Sequence, residues 1–174
     1  MEMLYCTHFD SPVGRLFLAA SANGLVALEF EHASQQPENP RRIRRERNDV
    51  RWQESARHMR AYVRELEQYF AGKRREFTFP LDLRGTDFQL ACWRALLAIP
   101  YGETRTYADI ARAAGKPQAF RAAGMANNRN PIAIVVPCHR VIASDGKLCG
   151  YGGGLDVKRR LLELEDAISG TLAA

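Results

Sequence analysis

The strongest constraint on this 174-residue chain is the stretch Ile132-Ala-Ile-Val-Val-Pro-Cys-His-Arg-Val141. Five apolar residues run into Pro137, and a thiol, an imidazole and a guanidinium follow at once. Pro131 and Pro137 bound the apolar run, so it is too short for a helix and reads as a buried extended segment. Pro137 fixes its own φ and pushes Val136 towards extended geometry. Cys138 is therefore expected at the end of a stiff rod, beside His139 and Arg140. A free thiol has a pKa of about 8.5, so little of it is thiolate at neutral pH. A neighbouring cation or imidazole lowers that value, which makes Cys138 a candidate nucleophile rather than a structural thiol.

The rest of the chain sets the frame for that stretch. Its length suits one domain or two small ones. Apolar residues at 46% and charged ones at 26% exclude disorder. The net charge of +5 fits weak steering towards a polyanion. No run approaches the length of a membrane span, and Met-Glu-Met-Leu-Tyr at the start lacks the features of a signal peptide. Cys6, Cys92, Cys138 and Cys149 lie far apart with no CxxC spacing, so a disulfide framework is not expected and the cytoplasm is the expected setting. Cys6, His8, His32 and His58 match no compact zinc signature, and no metal or cofactor is expected.

Residues 3–30 have the pattern of a small antiparallel meander. Leu4–Phe9, Leu16–Ala19 and Leu25–Phe30 are strand-like, and Ala22-Asn-Gly24 suits a hairpin turn with positive φ at both central positions. Residues 31–51 change character, with Pro37, Pro40 and Arg41, Arg42, Arg44, Arg45 and Arg47. They read as a solvated loop, a frayed helix or a basic arm. From Trp52 the period becomes helical: Trp52, Ala56, Met59, Val63, Leu66 and Phe70 share one face, and Gly72 stops the helix. Phe77–Leu83 reads as a strand leaving this first unit.

A second unit begins near Gly85. Thr86-Asp-Phe-Gln89 is a capping box opening a helix with Phe88, Ala91, Cys92, Ala95, Leu96 and Ile99 on its apolar face. Two further helices, 106–114 and 118–126, flank Gly115-Lys-Pro117, the organisation of a helix-turn-helix. Ala119, Ala122 and Ala123 leave room for close approach by something large. Ala143–Lys147 is turn material, and Gly150-Tyr-Gly-Gly-Gly154 is a loop able to approach a ligand closely. A closing helix runs from Leu155 to about Ala167. The fold class is α+β: a small N-terminal antiparallel sheet with a helix over 1–80, and a mainly α-helical domain with a helix-turn-helix over 86–174.

Arg121-Ala-Ala-Gly-Met-Ala-Asn127, Asn130-Pro-Ile-Ala-Ile-Val-Val-Pro-Cys-His-Arg-Val141 and Gly150-Tyr-Gly-Gly-Gly154 together resemble the O6-alkylguanine-DNA alkyltransferases. The likeness is dense from about Thr86 to Glu165 and only architectural over residues 1–80. It implies a ribonuclease-H-like N-terminal domain and irreversible, single-turnover transfer of an alkyl group from O6-alkylguanine, or O4-alkylthymine, to Cys138 after base flipping. It implies a role for each matching residue. His139 is the base acting through water, Glu165 orients it, Asn130 braces the segment, and Tyr107 donates to the guanine. Val141, Tyr151, Gly152 and Gly153 line the base pocket. Arg121 fills the gap left by the flipped base, and Thr106, Ala119, Phe120 and Ala122 lie against DNA. The implied partner is double-stranded DNA containing alkylated bases, bound by a monomer, with cooperative binding along DNA left open.

Two features depart from the family's usual pattern. Phe120 stands beside Arg121 where a small residue is common, so it either packs inward or enters the minor groove as an apolar wedge. Gly152 is the smallest choice at the pocket wall, which suits alkyl groups larger than methyl. Two rival readings are a module that binds alkylated bases without repair, which the presence of Cys138 disfavours, and a Cys-His hydrolase, which the adjacency of Cys138 and His139 disfavours.

Overall fold

The computed structural model describes residues 1–35 and 49–167. Pro37, Pro40 and the arginines from Arg41 to Arg47 lie outside the described residues. The chain divides into two compact units, Met1–Leu83 and Arg84–Ala174.

The first unit holds β1 (Glu2–Ser11), β2 (Gly14–Ala20), β3 (Leu25–Phe30), β4 (Val50–Glu54) and α1 (Ala56–Phe70). The sheet order is β3-β2-β1-β4. The expected antiparallel pairs are present, with Phe9 opposite Leu16 and Leu18 opposite Leu28. β4 adds a parallel partner for β1, with Trp52 opposite Leu4, so the sheet is mixed. Trp52 therefore belongs to a strand and not to the helical face. The helix begins only at Ala56, where the Ser55 side chain accepts the His58 N–H. Glu31–Gln35 forms a short 3-10 turn.

Side chains alternate along β1, and the two faces receive different partners. Leu4 and Cys6 join Ala19, Val26 and Ala27 in a buried cluster with Phe17, Val50 and Trp52 packed against it. On the other face Tyr5 stacks on His58 at 3.6 Å and Phe9 meets Phe70 at 6.3 Å between centroids. α1 buries Met59, Leu66 and Tyr69. The four residues weighed as zinc ligands do not gather: His58 is stacked on Tyr5, and His8 pairs with Glu31 at 3.0 Å.

Phe77–Leu83 is not a strand. Pro80 has no N–H to give a ladder, and the Thr78 N–H donates to the buried Glu65 carboxylate at 2.8 Å. What remains is one parallel bridge between Leu81 and Leu25. The Leu25 N–H donates to Pro80 O and the Asp82 N–H to Leu25 O. This return of the chain explains Gly24. Only Gly24 of the Asn23-Gly24 pair has positive φ, contrary to expectation, and a Cβ on it would lie 2.5 Å from Pro80 O.

The second unit holds α2 (Asp87–Leu97), β5 (Arg105–Thr106), α3 (Tyr107–Ala113), α4 (Phe120–Asn128), β6 (Val141–Ile142) and α5 (Leu155–Leu164). Thr86 and Gln89 form the expected capping box. α2, α3 and α4 pack together through Cys92, Leu96, Ile110, Ala111, Ala123 and Ala126. The Trp93 indole N–H donates to Ala126 O at 2.9 Å and pins α2 to α4. Ala123 is fully buried in this packing, so its small size admits neighbouring helices and not an outside partner. α4 begins at Phe120, two residues later than the pattern suggested. Among the described residues no helix is long and apolar enough to cross a membrane.

The apolar run 132–136 is buried but not extended. The Val136 N–H returns to Ile132 O, the Val135 N–H to Ala133 O, and Ile134 sits at φ 72°. A β-branched residue there costs about 1–3 kcal/mol, and burial of the run offsets it. Two short strands then tie this turn to α3: Arg105 pairs with Val141 and Thr106 with Ile142, in parallel.

The Gly24 contact yields a stability test. Gly24→Ala combines a positive φ with a backbone clash and is expected to destabilise the protein by about 1–3 kcal/mol in denaturant titrations. Gly72, at φ 71° with open space around its Cβ position, is the control, and its alanine variant should lose less.

Candidate active site

The site is assembled on a 3-10 turn, Cys138–Arg140, that follows the buried 132–136 turn directly. Asn130 fixes the entry. Its Nδ2 donates to Val136 O at 2.7 Å, and its Oδ1 accepts the Ile132 N–H at 3.0 Å. The Cys138 N–H donates to Val136 O, and the Arg140 N–H to Pro137 O. Each bond stays within a dozen residues of sequence, so the thiol is positioned by local backbone geometry.

Glu165 approaches from the other side, as the residue that ends α5. It is 1% exposed. Arg140 grips it with two bonds, Nε to Oε2 at 2.8 Å and Nη2 to Oε1 at 2.9 Å. The third guanidinium nitrogen, Nη1, donates to Ile99 O at 2.7 Å. His139, with no exposure, places Nε2 at 2.8 Å from Glu165 Oε1. Burial pushes the Glu165 carboxyl up, but His139 and then Arg140 outweigh it and hold the pKa at about 2. Burial pushes the His139 pKa down more than Glu165 raises it. The pair at rest is a carboxylate and a neutral imidazole. An ionised carboxylate only accepts, so Nε2 carries the hydrogen and Nδ1 carries the lone pair. Among the described residues Nδ1 is buried with no hydrogen-bond partner. A buried basic nitrogen with an open lone pair is what a general base requires.

Cys138 departs from expectation. Burial raises its pKa, and the sulfur at rest is a neutral thiol. The opposing influences are the Asn130 side chain, the charge of Lys158 and the backbone N–H groups of Cys138 and His139. The Arg140 guanidinium, adjacent in sequence, is committed to Glu165 and Ile99 instead.

Tyr107 opens α3, directly after the β5–β6 pair that ties α3 to the 3-10 turn. Its hydroxyl donates to Cys149 O at 3.3 Å, and the Cys149 thiol donates to the same hydroxyl oxygen at 3.7 Å. Burial, then Cys149, raises its pKa, so it remains a phenol and a donor. Thr106 serves as the cap of α3, its hydroxyl accepting the Asp109 N–H. Val141 is fully buried, Tyr151 is half-buried, Gly152 is exposed and Gly153 is buried. A Cβ on Gly152 would meet nothing within 4 Å.

The candidate DNA contacts on α4 cluster at its start. Phe120 is 51% exposed, so it does not pack inward, and Arg121 and Ala122 are exposed beside it. The Arg121 guanidinium lies 6.0 Å from the Phe120 ring centroid. Ala119 is half-buried at the helix start.

Lys158 and Cys149 were missing from the sequence-based set. Lys158 is fully buried, and its Nζ donates to Val141 O at 2.5 Å and Cys149 O at 3.0 Å. Its signal was present: position 158 lies three and four residues before Leu161 and Leu162, on the face that has to be buried.

Comparison with known proteins agrees with this architecture. Residues 87–167 match the DNA binding domain of 6-O-methylguanine DNA methyltransferase, and residues 4–83 match its ribonuclease-like domain. The methylated-DNA–protein-cysteine methyltransferase of Methanosarcina barkeri is 49% identical over 163 residues, covering 94% of this chain and 98% of the relative. The crystal structure of the Mycobacterium tuberculosis O6-methylguanine methyltransferase superposes with a TM-score of 0.81 at 47% identity, covering 97% of this chain and 96% of that one. The Mycobacterium tuberculosis OGT in complex with DNA gives a TM-score of 0.78 at 46% identity, covering 95% and 93%. With both of its units matched, this chain belongs to the 6-O-methylguanine DNA methyltransferase family.

Proposed function

We propose that this protein repairs DNA by moving the alkyl group of O6-alkylguanine, and by the same chemistry that of O4-alkylthymine, onto the sulfur of Cys138. The observation that carries the reading is the buried His139–Glu165 pair, which leaves an open imidazole lone pair on the residue next to a buried thiol.

The step runs as a displacement at saturated carbon. The Cys138 proton passes to His139 Nδ1 through one water, and Glu165 stabilises the imidazolium that results. The thiolate then forms a carbon–sulfur bond as the bond between carbon and O6 breaks. The electron pair of the broken bond leaves with the base, and the Tyr107 hydroxyl, kept protonated by burial, donates to the base and offsets that charge. The thioether is stable, so each molecule acts once.

A base inside the duplex cannot reach a thiol that is 5% exposed, so the damaged nucleotide has to leave the stack. α3 and α4 act as the helix-turn-helix. Arg121 fills the space of the extruded base, and Phe120 beside it wedges the minor groove apart. The relative solved with DNA supports this partner. Open space around Gly152 leaves room for alkyl groups larger than methyl.

The decisive experiment mixes the protein with duplex DNA carrying one O6-methylguanine. One methyl group should appear on the peptide containing Cys138, at no more than one equivalent per protein, and Cys138→Ser should show none. Several lesions cleared per molecule would defeat the reading, and turnover of an ester or peptide substrate would favour a hydrolase.

Glu165→Gln leaves Arg140 buried without its counter-charge and is expected to cost about 3–5 kcal/mol in thermal or denaturant unfolding. In the wild type the stabilisation of that carboxylate, due first to His139 and then to Arg140, is read through pH. The folded pKa of Glu165, about 2, lies below its unfolded value, so its stabilisation is complete above about pH 4.5. It fades as pH falls towards 2, which an acid titration of stability will show.

Arg121→Ala should slow transfer from duplex DNA by about tenfold or more, given a flipping cost of a few kcal/mol. Transfer from free O6-benzylguanine, which needs no flipping, should keep its rate. An equal loss on both substrates would place Arg121 in folding or chemistry instead.

A further inference from the structure

The relay through His139 makes no use of Lys158, although that residue is fully buried beside it. The ammonium donates to two main-chain carbonyls, Val141 O and Cys149 O. Among the described residues it has no carboxylate partner, because Glu165 is taken by Arg140 and His139. Burying an ammonium without a counter-charge costs several kcal/mol, and two carbonyls replace only part of its lost hydration. Such a charge is expensive to keep unless an anion forms next to it.

Backbone bonds tie that ammonium to the Cys138 turn. The Val141 N–H donates to Cys138 O, so the carbonyl that holds Lys158 belongs to the residue that closes the Cys138 turn. The charge of Lys158 acts on Cys138 and lowers its pKa, while Cys149 and Cys138 raise that of Lys158 against burial. The other titratable and charged groups around the pair are His139 and Arg140 from the same turn, Tyr107 from α3, Cys149 from the loop and Glu165 from the end of α5. Arg140 and Glu165 offset each other, and His139 starts neutral. Before the reaction, Lys158 is therefore the unbalanced charge of the site.

We propose that Lys158 is the standing counter-charge of the Cys138 thiolate, a buried ammonium whose anion exists only while that sulfur is deprotonated. The inference rests on the reading of Cys138 as the alkyl acceptor and adds to it a second electrostatic partner. His139 removes the proton, and Lys158 favours the charge left behind. Its contribution is absent from the neutral thiol and present in the thiolate, so it assists the reacting state selectively.

The test needs no DNA, so it can succeed or fail independently of the repair reading. Iodoacetamide alkylates a thiolate with loss of iodide, and mass spectrometry of the peptide containing Cys138 gives the rate against pH. Removing the opposite charge of Lys158 should raise the midpoint of that profile by about 1–3 pH units in Lys158→Met. The rate at neutral pH should fall by about tenfold or more, with recovery at high pH. Lys158→Arg, which keeps the charge, should stay near the wild-type midpoint. A loss of equal size at every pH, or an unchanged midpoint in Lys158→Met, would overturn the proposal. Should Lys158→Met not fold, the wild type still answers. The Lys158 13Cε resonance should shift as Cys138 ionises and lose that inflection in Cys138→Ser. A resonance indifferent to Cys138 would refute the pairing. A wild type and variants that show the shifts, in a protein that leaves O6-methylguanine untouched, would keep the charge pairing and remove the repair reading.

Discussion

The Glu165 carboxylate is the interaction on which the site depends. It is buried at the end of α5, and two segments, 99–102 and 139–140, converge on it or its neighbours. Arg140 brings two donors and reaches Ile99 O with a third, and the Tyr101 hydroxyl donates to Leu164 O at 3.1 Å. Gly102, at φ 83°, passes close enough that a Cβ would lie 3.1 Å from Glu165 O. The carboxylate is thus fixed before it meets His139. Arg140 supplies the charge that makes burial tolerable, which leaves Glu165 ionised and purely an acceptor. That acceptor decides the tautomer of His139, and the tautomer decides which nitrogen can take a proton. A single charge balance therefore orders the imidazole, although Arg140 never needs to approach the reacting atoms.

The second constraint is the strained turn that delivers the thiol. A straight strand ending at Pro137 would have carried Cys138 away from the bundle. The turn over 132–136 instead folds back on itself, with Asn130 bonded to both of its ends. The cost of Ile134 at positive φ is met by burying Ile132, Ile134 and Val136 in the unit's core. The two-residue ladder between β5 and β6 then brings Tyr107 to the same place. Neither device is large, but each fixes a functional side chain to the core by backbone bonds, which tolerate less movement than side-chain contacts.

Much of the fold was legible because local rules decided it. Short strand-like runs punctuated by turn residues marked β1, β2 and β3, and the capping box at Thr86 and Gln89 marked the start of α2. Legibility ended where a distant partner decided the outcome. β4 exists because β1 offers a parallel edge, so Trp52 looked helical by spacing alone. Phe77–Leu83 looked like a strand, yet a buried glutamate thirteen residues earlier takes the Thr78 N–H. The site shows the same division. Cys138 and His139 were read directly from one stretch, and Asn130 came only with the resemblance. Lys158 was not singled out, although its place three and four residues before Leu161 and Leu162 put it on the buried face.

The neighbours of Cys138 in sequence also proved a poor guide to its chemistry, and the reason bears on how a protein that acts once would protect its sulfur. Side chains adjacent in a 3-10 turn leave in different directions, so Arg140 serves Glu165 and not the thiol. Burial then raises the Cys138 pKa despite Asn130, Lys158 and the backbone N–H groups that oppose it. A neutral, enclosed thiol is a poor nucleophile towards electrophiles dissolved in water. The groups that favour the thiolate are nevertheless already in place, so ionisation requires a proton transfer and no rearrangement of the protein. A flipped base would exclude further water and strengthen every one of those charge interactions. On the proposed mechanism, low reactivity at rest and high reactivity with a base in the pocket then follow from one feature, the burial of a sulfur among fixed charges.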